Sequence, residues 1–154
     1  MVHKKAIPKD PWFKDGLRFK CNQCGLCCRG KPGVVLVNEK EMKNIADHLR
    51  MPIENFCKKF VRKVYKRYSL TERENGDCAM YENGCNIYPV RPYQCKSFPF
   101  WLANLETKEA WNALKDACPG IDGDKLYSCK DIADIVLEGE PKVITCLGVR
   151  QRNT

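Results

Sequence analysis

The sequence is poor in histidine and lacks the usual signatures of an enzyme active site. Only two of its 154 residues are histidine, and we find no histidine–carboxylate pairing typical of catalysis. A glycine-rich phosphate loop and a nucleophile elbow are also missing. The acidic residues that stand out are typical of helix caps and exposed surfaces: Glu39, Glu41, Asp116, Asp122 and Asp124. These absences leave it uncertain whether the protein is an enzyme, but they argue against it.

Long apolar segments are absent too. No run approaches the roughly 18 residues that a membrane-spanning helix requires. Residues 1–8 lack the apolar core of a signal peptide. We therefore expect a soluble, cytoplasmic protein in a reducing compartment, where clustered cysteines indicate metal before disulfides. The odd cysteine count, eleven, also argues against a framework made only of disulfides.

Cysteine is what the sequence has in excess, and four cysteines fall within eight residues. Cys21, Cys24 and Cys27 repeat as C-x₂-C-x₂-C, followed directly by Cys28. This spacing lets consecutive sulfurs converge on one metal centre, and the bacterial ferredoxin run uses the same spacing for three of its ligands. Gly25 supplies the backbone freedom that such a tight loop needs. Because adjacent side chains rarely point the same way, we expect Cys28 to reach a different site from Cys27, or to stay free.

Further cysteines follow at positions that suit metal binding. Cys78 and Cys85 are separated by six residues, a spacing that a hairpin-like excursion can close so that both sulfurs reach one place. Cys95 follows in an irregular but stiff stretch that contains several prolines. Cys118 precedes Pro119, and a Cys-Pro pair also ends the ferredoxin ligand run. Cys118 is therefore a candidate for a remote fourth ligand.

Taken together, these segments resemble the YkgJ-type cysteine-cluster family, whose members are often described as zinc- or iron-chelating domains. The matching segments are 19–30, Cys78, 85–92, Cys95 with 98–100, and 118–120. A similar domain occurs in flagellin lysine methylases, where the resemblance implies an iron–sulfur centre, but the family has no single agreed activity. Three further cysteines lie outside the shared pattern: Cys57, Cys129 and Cys146.

Eight cysteines match the pattern and form the candidate ligand set: Cys21, Cys24, Cys27, Cys28, Cys78, Cys85, Cys95 and Cys118. Eight thiolates suit two four-thiolate sites, or one cluster plus four structural thiols. We favour one or possibly two [4Fe–4S] clusters, with zinc as the alternative, because the spacing and the remote Cys-Pro pair repeat the ferredoxin arrangement. Structural zinc more often uses two separated pairs of ligands. We expect Cys21, Cys24 and Cys27 to share one site.

We expect an α+β fold: a small metal-stapled domain of mainly helices, with short strands or hairpins and irregular cysteine loops. Residues 1–18 would form an N-terminal arm and residues 19–122 the cysteine-cluster metal-binding domain. Residues 123–154 would form a C-terminal helix and tail packed on the same domain. This division treats the chain as one domain with two appendages.

Local patterns predict the individual elements. Val34 to Val37 reads as a strand, and Asn38 then caps a helix with Glu41 at the capping-box position. A second helix runs from about Pro52 to about Tyr68, because apolar residues recur every three or four positions. Further predictions are helices over 104–117 and 123–138, a short apolar strand at 143–147, and turns at 75–76 and 83–84.

The charge distribution bears on partners. The formal net charge is +8, which fits an acidic partner. The predicted second helix would carry six cations on one face: Lys58, Lys59, Arg62, Lys63, Lys66 and Arg67. No recognisable nucleic-acid-binding motif accompanies them, so nucleic acid is possible but a larger protein with an acidic surface is favoured.

The sequence therefore predicts an iron–sulfur protein that acts as a redox or oxygen-responsive accessory or regulatory subunit on a larger protein. Two alternatives remain open. One is a zinc-stapled binding module for an acidic protein or nucleic acid. The other is a cluster-dependent enzyme that transfers methyl groups or assembles metal centres.

Overall fold

The computed structural model describes residues 7–30 and 33–139, so the predicted strand at 143–147 and Cys146 lie outside the described residues. The strands are β1 (Leu17–Phe19), β2 (Val35–Val37), β3 (Val61–Val64), β4 (Arg67–Leu70) and β5 (Ile121–Tyr127). The helices are α1 (Glu39–His48), α2 (Ile53–Phe60), α3 (Tyr93–Ser97), α4 (Leu102–Leu105), α5 (Lys108–Ala113) and α6 (Cys129–Gly139). Single 3₁₀ turns cover Leu26–Cys28, Tyr88–Val90 and Leu114–Asp116. This mixture of helices and short antiparallel strands confirms the predicted α+β class.

The chain divides into two compact units. Within the described residues, unit 1 combines 7–22 with 97–139, and unit 2 comprises 23–30 and 33–96. The division falls between Asn22 and Gln23, inside the C-x₂-C-x₂-C run. The three-part division expected from the sequence stays a prediction.

Unit 2 is built on an antiparallel sheet with the strand order β2-β4-β3. The helix α1 begins as predicted, with a complete capping box: Asn38 Oδ1 accepts from Glu41 N at 2.8 Å, and Glu41 Oε2 accepts from Asn38 N at 2.9 Å. The apolar face of α1 is buried against α2 and the sheet. The core of unit 2 consists of Val37, Met42, Ile45, Ala46, Phe56, Leu70, Met80 and Ile87.

The prediction of one long helix from Pro52 to Tyr68 was wrong. The helix α2 ends at Phe60, and the chain continues as the β3–β4 hairpin, whose register pairs Val61 with Leu70 and Val64 with Arg67. The apolar spacing was misleading because strand residues continued the helical period by chance; Tyr68 in fact lies 41% exposed on β4. β-Branched valines at both ends of β3 favour the extended backbone.

Unit 1 is held by a two-stranded antiparallel ladder and an aromatic core. Strand β1 pairs with β5, with Leu17 opposite Tyr127 and Phe19 opposite Ile121. The ring of Phe100 stacks on Trp111, with 5.6 Å between the ring centroids, and meets Phe19 edge-on. These rings and the aliphatic face of α6 are buried together.

Two further helix predictions need correction in unit 1. The predicted helix over 104–117 is interrupted after α4, because the Thr107 hydroxyl caps α5 by accepting from Ala110 N at 3.0 Å. The predicted helix over 123–138 starts later, since residues 123–127 belong to β5. Ser128 and Asp131 exchange side chain–backbone hydrogen bonds of 2.9 and 3.1 Å at the start of α6, an arrangement typical of a capped helix start.

Candidate metal centre

The cysteine loop is shaped by Gly25. Its φ of 75° lies in the left-handed region, which most side chains avoid. A Cβ at this position would lie 2.5 Å from Cε2 of Tyr81. The 3₁₀ turn that follows is closed by Cys28 N, which donates to the Gly25 carbonyl at 3.0 Å. Both the backbone angle and the tyrosine ring therefore require glycine here.

The segment containing Cys78 is hydrogen-bonded directly to this loop. Cys78 N donates to the Cys28 carbonyl at 2.8 Å. Gly30 N donates to Asp77 Oδ1 at 2.9 Å. The guanidinium of Arg29 lies 5.5 Å from the ring centroid of Tyr81. These contacts place Cys78 beside Cys28, although the two are 50 positions apart in the sequence.

A tight excursion then returns Cys85 to the same region. An isolated bridge pairs Tyr81 with Cys85, and Glu82 N donates to the Gly84 carbonyl at 2.8 Å. The turn at Asn83 and Gly84 has positive φ values of 53° and 137°, as its Asn-Gly sequence predicted. This geometry agrees with the hairpin-like excursion expected between Cys78 and Cys85.

Five of the eight candidate thiols interact with one another in unit 2: Cys27, Cys28, Cys78, Cys85 and Cys95. We call these five residues the thiol cluster. The sulfurs of Cys27 and Cys28 are 3.9 Å apart, and Cys28 is also hydrogen-bonded to Cys85. Cys78 and Cys95 lie close enough to Cys27 and Cys85 for the charges of those two thiols to raise their pKa values. The two thiols contact each other in the structure. The expectation that Cys28 serves a different site from Cys27 stays a prediction.

Proton sharing inside the thiol cluster separates its pKa values. The hydrogen bond from Cys28 lowers the pKa of Cys27 to about 6, with a smaller contribution from the charge of Arg91. A second hydrogen bond from Cys28 lowers the pKa of Cys85 to about 7. The same two contacts raise the pKa of Cys28, and either sulfur of the Cys27–Cys28 contact could be the donor. The pKa values of Cys27 and Cys85 are therefore lower than that of Cys28.

The other two thiols hold their protons for a different reason. Burial raises the pKa of Cys95 to about 12, and the neighbouring thiols add to this effect. Burial is also the largest cause that raises the pKa of Cys78. Thiolates are the forms that bind metal, so a bound cation must displace these protons.

Arg91 is a residue of this region whose role the sequence did not reveal. Its charge lowers the pKa values of Cys27, Cys85 and Cys95. The guanidinium is held over the Tyr88 ring at 3.7 Å from the centroid, and its Nε donates to the Tyr88 carbonyl at 3.0 Å. Its position in segment 85–92, between two candidate ligands, is a signal that could have suggested a charge-compensating role.

The remaining three candidates lie elsewhere. Cys24 belongs to unit 2 and is exposed. Cys21, which is exposed, and Cys118, which is half-buried, both belong to unit 1. Past the β1–β5 ladder, Lys20 N donates to the Gly120 carbonyl at 2.9 Å, so Cys21 and Cys118 lie at the same end of this ladder. That they share a site with Cys24 and Cys27 stays a prediction.

The donor chemistry of the thiol cluster fits a soft metal. Thiolates favour zinc and iron–sulfur clusters over hard cations. In the described residues, however, no group of three or more His, Cys, Asp or Glu side chains is arranged to hold a metal ion. The sulfurs of the thiol cluster would have to move closer together to bind one metal centre.

Residues left out of the ligand set have ordinary structural surroundings. Cys57 packs against the core of unit 2, and Cys129 packs against the core of unit 1. The Nε2 atom of His48 lies 3.1 Å from the carbonyl oxygen of Asn86. These contacts account for the three side chains without a metal.

Comparison with known proteins identifies the class. The family model CxxCxxCC, described as "Putative zinc- or iron-chelating domain", matches residues 20–119. This covers more than half of the chain, so the protein belongs to this family. The match confirms the resemblance to the YkgJ-type family that we inferred from the cysteine-containing segments.

One similar curated protein is "Uncharacterized protein MJ0661" of Methanocaldococcus jannaschii, which is 28% identical over 103 residues. The alignment covers 65% of this chain and 54% of the relative, so the chain spans about half the length of the curated relative it matches. No solved structure shows significant similarity to the chain. Among the described residues, none of the helices has the length and apolarity needed to cross a membrane.

Proposed function

We propose that this protein is a [4Fe–4S] protein that acts as a redox or oxygen-responsive accessory subunit on a larger protein. The observation that carries the proposal is the electrostatic and hydrogen-bonding interaction of five thiols in unit 2, within a zinc- or iron-chelating family. Membership of the family supports metal binding in general. The preference for iron rests on the C-x₂-C-x₂-C spacing of the loop.

The residues proposed to hold the metal are the eight candidate cysteines, divided between one or two sites. When bound, a [4Fe–4S] cluster supplies one-electron transfer and sensitivity to oxygen. Gly25 would shape the loop that presents Cys27 and Cys28. Arg91 would offset the negative charge of the thiolates, which lowers the cost of gathering them in one place.

The proposed partner is a protein with an acidic surface. Its support is the net charge of +8, which favours association with negatively charged surfaces. The argument from a single basic helix face no longer applies, because only Lys58 and Lys59 of the six cations lie on α2. The partner proposal therefore rests on overall charge.

The experiment that tests the metal is a measurement of iron, zinc and acid-labile sulfide on protein purified without oxygen. We expect iron with matching sulfide. Replacing Cys85 in the thiol cluster by serine should remove most of this iron, whereas Cys57→Ser, a matched control in the unit 2 core, should keep it. Zinc without sulfide would refute the redox proposal and leave a zinc-stapled binding module.

The oxygen response needs a separate measurement. Exposure of the purified protein to air should bleach the visible absorption of the cluster and change its affinity for the physiological partner. Identical partner binding by anaerobic and air-exposed samples of equal folded content would refute the responsive role. It would leave the metal assignment intact.

A further inference from the structure

The β3–β4 hairpin of unit 2 presents a charged surface that neither the core nor the thiol cluster uses. Residues 61–70 contain two lysines, two arginines and no acidic residue. One of these cations is internally neutralised: Arg62 pairs with Glu72 at 3.1 Å and also donates to the Gly33 carbonyl at 2.9 Å. In the described part of the chain, Lys63, Lys66 and Arg67 form no ion pair and are exposed.

Tyrosines alternate with these cations at the end of the hairpin. Tyr65 occupies the turn and is 95% exposed, and Tyr68 on β4 is 41% exposed. The register places Lys63 directly opposite Tyr68, and Arg67 opposite Val64. Cations therefore flank both rings, so the aromatic surface lies inside a field of positive charge.

The backbone at Tyr65 makes a large side chain there unexpected. Its φ of 53° lies in the left-handed region, where glycine or asparagine is the usual hairpin residue. A bulky residue is strained in this conformation. Since the ring is almost fully exposed, packing within unit 2 does not explain its presence. A contact with another molecule would.

We propose that this hairpin binds single-stranded nucleic acid, with a base stacked on Tyr65 and phosphates paired with Lys63, Lys66 and Arg67. Stacking on an exposed ring beside cations is how many proteins bind single strands without sequence preference. This activity goes beyond the proposed metal function, and nothing in it depends on which metal is bound.

The hairpin fits an acidic protein less well. A stable protein interface needs roughly 800 Å² from each partner, with an apolar centre that excludes water. The hairpin tip offers two separated rings within a set of lysines and arginines. Each base needs only one ring face, so this surface matches nucleic acid more closely than a protein.

The test uses the intact protein, purified without oxygen, and a fluorescent oligouridine of about 20 nucleotides, a length that covers a typical single-strand site. We expect saturable binding by fluorescence anisotropy. With three phosphate contacts, affinity should fall by about twentyfold between about 50 and about 200 mM salt. A duplex of equal length should bind more weakly, because its bases are not available for stacking.

Two substitutions of Tyr65 distinguish the contribution of its ring to binding from any effect on the folding of the hairpin. Tyr65→Asn removes the ring but suits the positive φ, so the hairpin should fold at least as well as in the parent protein. It should weaken binding at least about fivefold, the lower end of what one stacked base contributes. Tyr65→Phe keeps the ring and should bind like the parent protein.

A charge-reversed pair provides a second readout. Lys63→Glu combined with Lys66→Glu should abolish detectable binding at about 200 mM salt. The matched control is Lys40→Glu combined with Lys43→Glu on α1, which changes the net charge equally. Both lysines are exposed, and this control should lose much less affinity.

The proposal is overturned if the oligonucleotide does not bind, or if Tyr65→Asn and the parent protein bind it equally. It is also overturned if polyglutamate of equal charge competes as well as unlabelled oligouridine, which would indicate an acidic protein partner. Metal content is also measured on each variant, so that a loss of oligonucleotide binding can be distinguished from a loss of metal.

Discussion

The two units bury different kinds of core and carry different amounts of irregular structure. Unit 1 is built on aromatic rings, with Phe100 stacked on Trp111 and meeting Phe19 edge-on. Unit 2 has a mainly aliphatic core around α1, α2 and a three-stranded sheet. Segment 24–30 contributes no residue to that core, whereas segment 76–92 contributes Met80 and Ile87 and is otherwise held by single turns and bridges.

This difference indicates what each unit needs to stay folded. Large buried aromatic surface is a stable source of hydrophobic free energy, so unit 1 does not need a metal for its core. In unit 2, the cysteine-bearing segments contribute only Met80 and Ile87 to the buried apolar core. In such segments, bound metal contributes directly to folding.

The largest effect should therefore come from metal removal. Chelation under anaerobic conditions should make amides in 24–30 and 76–92 exchange with solvent rapidly, because their ordering depends on the ligands. Peptides from α1 and β5 should stay protected. Hydrogen-exchange mass spectrometry gives both readouts in one sample, and uniform loss of protection across the chain would contradict the contrast between the cysteine segments and the two cores.

The opposite perturbation removes an aromatic ring from unit 1. Trp111→Ala should destabilise the protein by about 3–5 kcal/mol, as is typical for a buried tryptophan. Iron or zinc content per folded molecule should not change. Trp111→Phe should cost much less, since Trp111 Nε1 is buried and, among described residues, has no hydrogen-bond partner. Denaturant unfolding with metal analysis checks both, and metal loss in Trp111→Ala would contradict the separation.

A smaller change in unit 2 tests the loop. Gly25→Ala should cost about 1–2 kcal/mol from the left-handed backbone alone, and the ring of Tyr81 must also move. We expect weaker metal retention in a chelator competition. The control Gly30→Ala has a similar φ of 84° but open space around it, so equal metal loss in both variants would assign the effect to the backbone and not to Tyr81.

The smallest effect concerns thiol reactivity soon after chelation, before segments 24–30 and 76–92 lose their ordered structure. Cys27, with its pKa of about 6, should be alkylated readily at neutral pH, and its rate should fall as the pH drops through about 6. Cys95, with its pKa of about 12, should react slowly until strongly alkaline pH. Mass spectrometry of alkylated peptides measures both rates, and equal rates at neutral pH would contradict the arrangement of the thiol cluster.

The sequence predicted well whatever depends on neighbouring residues. The capping box of α1 and the Asn-Gly turn near Cys85 were both foreseen, because each is encoded within a few positions. The helix placed over 52–68 failed since its apolar period ran on into a strand. Strand pairing decided the outcome there, and local periodicity does not record it.

The candidate site was foreseen as a set of residue types but not as an arrangement. The spacing of Cys27 and Cys85 could not show that Cys28 hydrogen-bonds to both. The charge of Arg91 on these thiols depends on a fold that brings segment 85–92 to the cysteine loop. Such contacts between distant segments follow only from the folded chain.

The pairing of β1 with β5 has a consequence for the order of events during synthesis. The pair between Leu17 and Tyr127 can form only after Tyr127 has emerged from the ribosome. The whole sequence of unit 2 has emerged once Lys96 has appeared. At roughly 5–20 residues per second, translation leaves several seconds between these two moments. The thiol cluster can therefore assemble, and meet a metal donor, while the first strand of the chain is still without its partner.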